Sequence, residues 1–118
     1  MSHEHHTDPD CLFCKIVAGQ IPSRKVYEDE DVLAFHDIHP AAPVHVLIVP
    51  KTHFASLEEA QPAHQALLGK MLLLAPKLAQ EQGARNGFKT VINTGHDGGQ
   101  EIGHLHVHVL GGPRPWKG

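Results

Sequence analysis

The run GHLHVHVLGG, spanning 103–112, sets His104, His106 and His108 in alternation with Leu105, Val107 and Val109. Such alternation is the period of a β-strand, whose successive side chains point to opposite faces. The three imidazoles then share one face, about 7 Å apart from one to the next along the strand. The aliphatics, with Leu110, point into a core. A sheet with a core on at least one side is the fold this pattern demands. Imidazoles on rigid backbone can bind a metal, shuttle protons or act as a nucleophile. Solvated sheet faces carry Lys, Glu and Thr instead, and the flanking glycines point to a ligand.

The chain has 118 residues, enough for one domain around one core. Its formal net charge of −3 argues against nucleic-acid or membrane-surface partners, which need a basic patch. An anionic substrate must therefore be held by local groups. No apolar stretch approaches the ~18 residues of a transmembrane helix. The start, MSHEHHTDPD, is polar and lacks a signal-peptide hydrophobic region. A cytoplasmic location is the expectation. Two cysteines in such a chain point to a metal or redox pair more than to a structural disulfide.

Residues 1–9 read as a disordered tail and 10–118 as a single domain. Asp10 is placed to cap a short helix from Cys11 to Ala18, with Gly19 as its stop. Val26–Glu28 and Val32–His36 read as strands around the acidic turn Asp29-Glu30-Asp31. Val44–Pro50 is a strong strand. Ser56-Leu57-Glu58-Glu59 has capping-box spacing. A long helix runs from Pro62 to Gln82, with Leu67, Met71, Leu74 and Leu78 on its apolar face. Pro76 removes one of its backbone bonds. Phe88–Asn93 is a fourth strand, and the histidine run is the fifth. The fold class is α+β: an antiparallel sheet of about five strands with the long helix on one face.

Three further groups could carry chemistry. The loop from Asn93 to Gln100 is glycine-rich, so its backbone can approach a phosphate. It lacks the Gly-Lys-Ser/Thr ending of a Walker loop, and alone it is an ordinary hairpin loop. Asp37 at a strand end could accept bonds from vicinal ribose hydroxyls, or simply make a turn. Cys11-Leu12-Phe13-Cys14 is half a zinc site. Its other half must come from histidines, with His53 and His104 as candidates. A redox pair and two buried apolar thiols are the rival readings.

Together these residues resemble the histidine triad (HIT) family over roughly Cys11 to Gly112. The motif His-φ-His-φ-His-φ-φ is matched from His104 to Leu110. FCKIVAGQIPS, VYEDEDVLAFHDIHPAAPVHVLIVPKTH and GGQ are also similar, most of all to the Hint branch of nucleoside phosphoramidases. The resemblance implies a HIT-like fold and hydrolysis of purine nucleoside phosphoramidates through a nucleotidyl-histidine. His106 would be the nucleophile. His108, with the N–H groups near Gly99 and Gln100, would face the phosphate oxygens. The Gln100 side chain would lie near the scissile bond, and His45 would orient or protonate the nucleophile. Asp37 would hold the ribose and Asn93 the sugar–phosphate. Ile21, Phe35, His36 and Ile38 would line the base pocket.

The resemblance further implies a homodimer, no organic cofactor, and in some relatives a structural zinc. Here that zinc would lie on Cys11, Cys14, His53 and His104. Dinucleoside polyphosphate hydrolysis on the same fold is an alternative. So is a zinc- and nucleotide-binding protein with little catalysis. Three departures from the family pattern matter: Glu101 where some relatives have serine, which could slow turnover or alter leaving-group choice; Gly103 where an aromatic is common, which thins the packing there; and the short tail from Pro113 to Gly118, which bears on the leaving group.

Overall fold

The computed structural model describes residues 5–116. Residues 1–4 of the expected tail and 117–118 of the expected domain lie outside the described residues. The elements are a short helix α1 (Leu12–Val17), strands β1 (Lys25–Glu28), β2 (Val32–His36) and β3 (Val44–Pro50), a long helix α2 (Gln65–Glu81), and strands β4 (Phe88–Val91) and β5 (Val107–Gly111). Two 3₁₀ turns, Leu57–Glu59 and Pro62–His64, precede α2. The strands form one sheet in the order β1-β2-β3-β5-β4, with every neighbouring pair antiparallel.

The sheet is covered on both faces. Val32, Ala34, Val46, Ile48, Val107 and Val109 meet Met71, Ala75, Leu78 and Ala79 of α2. Those helix positions recur at three- and four-residue spacing, and the two alanines let the helix approach closely. Of the expected apolar face, Met71 and Leu78 are fully buried, while Leu67 and Leu74 pack at its edge. Across the sheet, Leu33, Phe35, Leu47 and Val49 meet Cys11, Phe13, Cys14 and Ile16 of the α1 segment. β3 is buried at every position because it lies between these two layers.

Several boundaries differ from the sequence expectation. α1 is capped by Cys11 rather than Asp10, because the Cys11 Sγ accepts the Cys14 N–H at 3.3 Å. Asp10 instead donates its own N–H to Asp8 Oδ1. β4 ends at Val91, and the Asn93 side chain turns away to donate to the Gly98 carbonyl at 2.7 Å. The histidine strand begins at Val107. The Leu105 N–H goes to the Phe54 carbonyl and the His104 N–H to Ile102, so neither joins the ladder. Residues 5–10 carry no regular structure, yet His6 accepts from His53 N–H and donates to Thr52 Oγ1.

Candidate functional site

Two groups of side chains gather on the α1 face of the sheet, one buried beneath α1 and one lining an open cavity. The buried group is Cys11, Cys14, His53 and His104, whose ligand atoms all lie within 4.8 Å of one another. Cys11 Sγ is 3.2 Å and Cys14 Sγ 3.5 Å from His104 Nδ1, and His53 Nδ1 is 3.1 Å from the same atom. His104 Nε2–H donates to the Pro50 carbonyl at 2.8 Å, which leaves Nδ1 as a lone pair facing the sulfurs. Two ring nitrogens this close, beside two thiols, need a shared cation or proton. A carbonyl behind a ligating imidazole is the usual support of a metal-binding histidine. Two sulfurs and two nitrogens are the donor set of a tetrahedral site. Burial pushes the Cys14 thiol up to about 11 in the metal-free protein, with its partner Cys11 adding to the rise. The Asp8 N–H, 3.5 Å from Cys14 Sγ, acts the other way.

The cavity, of about 380 Å³, is lined by His106, His108, Asp37, Asn93 and Gly99 at its polar part. Ile21, Phe35, His36 and Ile38 also line it, joined by Phe13 and Ile102. Nine of the residues expected around a nucleotide therefore share one cavity wall. His106 Nδ1–H donates to the His104 carbonyl at 2.7 Å. That fixes the tautomer, and no hydrogen bond among the described residues engages Nε2. Phe13 packs edge-on against both His104 and His106, with ring centroids 5.9 and 5.1 Å away.

His45 stands against His108 rather than His106. Its Nδ1 accepts the Ala41 N–H at 3.0 Å, so its proton resides on Nε2. That Nε2–H donates to His108 Nδ1 at 2.9 Å and lies 3.4 Å from Asp37 Oδ2. His108 must then carry its own proton on Nε2, as a neutral donor. The same carboxylate accepts the His39 N–H at 2.8 Å, so Asp37 is a turn residue as well as a cavity residue. Burial lowers the pKa of His45 and His106 and brings His108 down to about 4, helped there by its neighbours His106 and His45. The imidazoles are thus neutral near pH 7.

Gln100 departs from its expected place. Its Oε1 accepts the Gly95 N–H at 2.9 Å, and its Nε2 donates to the carbonyls of Ala55 and Ile102 at 2.6 and 2.9 Å. The amide is spent on holding the loop and does not line the cavity. The backbone N–H groups expected at a phosphate are also engaged: Gly99 bonds His96 and Gln100 bonds Gly95. Glycine is needed here, since a Cβ on Gly98 would run into the Thr94 carbonyl and Gly99 has φ +77°. Of the contributors that escaped the sequence reading, two show the range of signal. Phe13 carried a signal, as it shares the inward face of α1 with Cys14 and Ile16. The Pro50 carbonyl carried none.

Comparison with known proteins adds an independent line. A family model described as scavenger mRNA decapping enzyme C-terminal binding matches residues 10–117. Protein HitA of Neisseria gonorrhoeae is 56% identical over 104 residues, 88% of this chain and 97% of that protein. A 14 kDa zinc-binding protein of Zea mays is 46% identical, over 89% of this chain and 84% of its own length. Among solved structures, a HIT family hydrolase from Legionella pneumophila Philadelphia 1 superposes with a TM-score of 0.85 at 46% identity. That match covers 89% of this chain and 95% of that one. A histidine triad protein from Clostridium difficile gives a TM-score of 0.86 at 46% identity, covering 92% and 95%.

Proposed function

The chain belongs to the histidine triad family, and from that premise we propose that it is a hydrolase of the Hint type, cleaving the P–N bond of purine nucleoside phosphoramidates. His106 Nε2 attacks phosphorus, forming a new P–N bond as the bond to the leaving nitrogen breaks. The amine departs protonated, drawing its proton from solvent, because an unprotonated amide is a poor leaving group. Water then attacks phosphorus, the imidazole leaves, and AMP or GMP is released with one proton. The net reaction consumes one water and returns His106 neutral. His108 Nε2–H, held in that tautomer through His45, is the donor to the phosphate oxygens. Such transfers depend mostly on positioning and on charge stabilisation at those oxygens. Asp37 holds the ribose hydroxyls, and the apolar wall takes the base.

The observation that carries this reading is the His106 Nδ1–H bond to the His104 carbonyl, which leaves Nε2 as an unprotonated nucleophile in the cavity. His106→Ala should lose at least a thousandfold in kcat on an adenosine phosphoramidate. Wild type quenched in alkaline denaturant, where a P–N bond to imidazole survives, should carry the mass of one nucleotidyl group. Turnover by the variant, or no adduct under single-turnover conditions, would refute the assignment. Rates on a phosphoramidate and a dinucleoside polyphosphate at equal concentration separate the two chemistries of this fold.

Cys11, Cys14, His53 and His104 fit a structural zinc, and the maize relative's name accords with it. When bound, the ion neutralises the thiolates and fixes α1 over the triad; four protein ligands leave it no open position. A homodimer is supported by the open edge of β4 and by Leu72, Leu73 and Phe88, all exposed. Two free, buried cysteines accord with a reducing cytoplasm. Among the described residues no helix is long and apolar enough to cross a membrane.

A further inference from the structure

Among the described residues, one buried side-chain polar atom lacks a hydrogen-bond partner: Ser23 Oγ. Ser23 lines the cavity, between Pro22 and the start of β1, in the same wall as Ile16, Ile21 and Phe35. The segment is held in place, because the Arg24 carbonyl accepts the His36 N–H at 3.0 Å. A buried hydroxyl left unpaired is costly, so native proteins rarely keep one without use. Turned about χ1 toward the cavity, this closed-off hydroxyl would set one polar group in an apolar wall, which is complementary to a flat heteroaromatic ring with one polar edge turned toward it.

We infer that Ser23 is a specificity-determining residue that hydrogen-bonds the polar edge of the base. This rests on the nucleotide reading above and extends it to base choice. A hydroxyl both donates and accepts, and it rotates to suit its partner. It can donate to a ring nitrogen or an exocyclic oxygen, or accept from an amino group. Ser23 therefore lets the same pocket hold adenine and guanine, while an apolar residue there would leave either edge unpaired. No chemical step passes through it, so its removal weakens binding and leaves kcat alone.

The test is calorimetric binding of AMP, GMP and ribose 5-phosphate to the wild type, Ser23→Ala and Ser23→Thr. Ser23→Ala should weaken AMP and GMP about three- to tenfold, the usual net value of one neutral hydrogen bond. Ribose 5-phosphate, which has no base, should bind unchanged. Ser23→Thr keeps the hydroxyl and should recover most of the loss. Steady-state kinetics should show the effect in KM with kcat preserved. Unaltered AMP and GMP binding by Ser23→Ala would overturn the inference and leave the nucleotidyl-hydrolase reading intact. An equal loss for ribose 5-phosphate would also overturn it, by showing a general disturbance of the site. A wild type that binds none of the three would overturn both readings together.

Discussion

A single peptide unit links the two chemistries of this molecule at the scale of the residue. The imidazole of His104 belongs to the sulfur–nitrogen cluster, and its carbonyl accepts the proton of His106. Gln100 is the other residue whose bonds decide more than its position would tell. Its three backbone partners predict that Gln100→Ala destabilises the protein by about 1–3 kcal/mol, the cost of leaving half-buried polar groups unpaired. Gln100→Glu should be no better, since it sets a carboxylate against two carbonyls. Urea denaturation of both variants checks this, and wild-type stability in either would place the amide elsewhere. The residues with strong chemical type, such as the three histidines, Asp37 and the cysteine pair, were legible in the chain. Gln100, Ser23 and the tautomer of His45 were not. What each one does is set by which backbone group stands opposite, and that depends on the fold.

Helix and hairpin have separate anchors. α1 has six residues, too few to persist alone in water. It is held by its Cys11 cap, by Phe13 against the triad, and by the cluster. Exhaustive zinc chelation, or the pair Cys11→Ser and Cys14→Ser, should lower Tm by several degrees and expose α1 to proteolysis. A Tm insensitive to chelator in a protein shown to contain zinc would contradict this. The β1–β2 hairpin is tied to α2 through Asp29. Burial disfavours its charge, but Lys70 Nζ at 2.6 Å, the Tyr27 hydroxyl and the N–H groups of Asp31 and Val32 together hold its pKa far below the ordinary range. This carboxylate's support is present above the unfolded value of ~3.9 and fades as pH falls below it. Asp29→Asn should be less stable than wild type at pH 7, and the gap should close toward pH 2. A gap unchanged with pH would show that charge is not the cause. The sequence named β3 residue for residue, because VHVLIVP is β-branched and flanked by breakers. It extended the histidine strand three residues too early, because alternation continues through His104 and Leu105 while their N–H groups bond elsewhere.

The whole molecule is a five-stranded sheet with unlike coverings: α2 and an aliphatic core on one face, α1 and the imidazoles on the other. Leu73, 78% exposed on α2, should matter only in an assembly. Leu73→Glu should leave monomer folding intact and shift sedimentation from dimer toward monomer; an unmoved wild-type monomer would rule the dimer out. The interleaving of β3 and β5 at the centre of the sheet has a dynamic consequence. Local opening begins at edges, so β1 and β4 should exchange their amide hydrogens first. Val107 and Val109, paired with β3 next to His106, should be among the last. His106, one residue before β5, is thus joined directly to the part of the chain expected to open last. In the function proposed above, the cavity walls on α1 and the glycine loop move to admit and release the nucleotide while His106 stays in place.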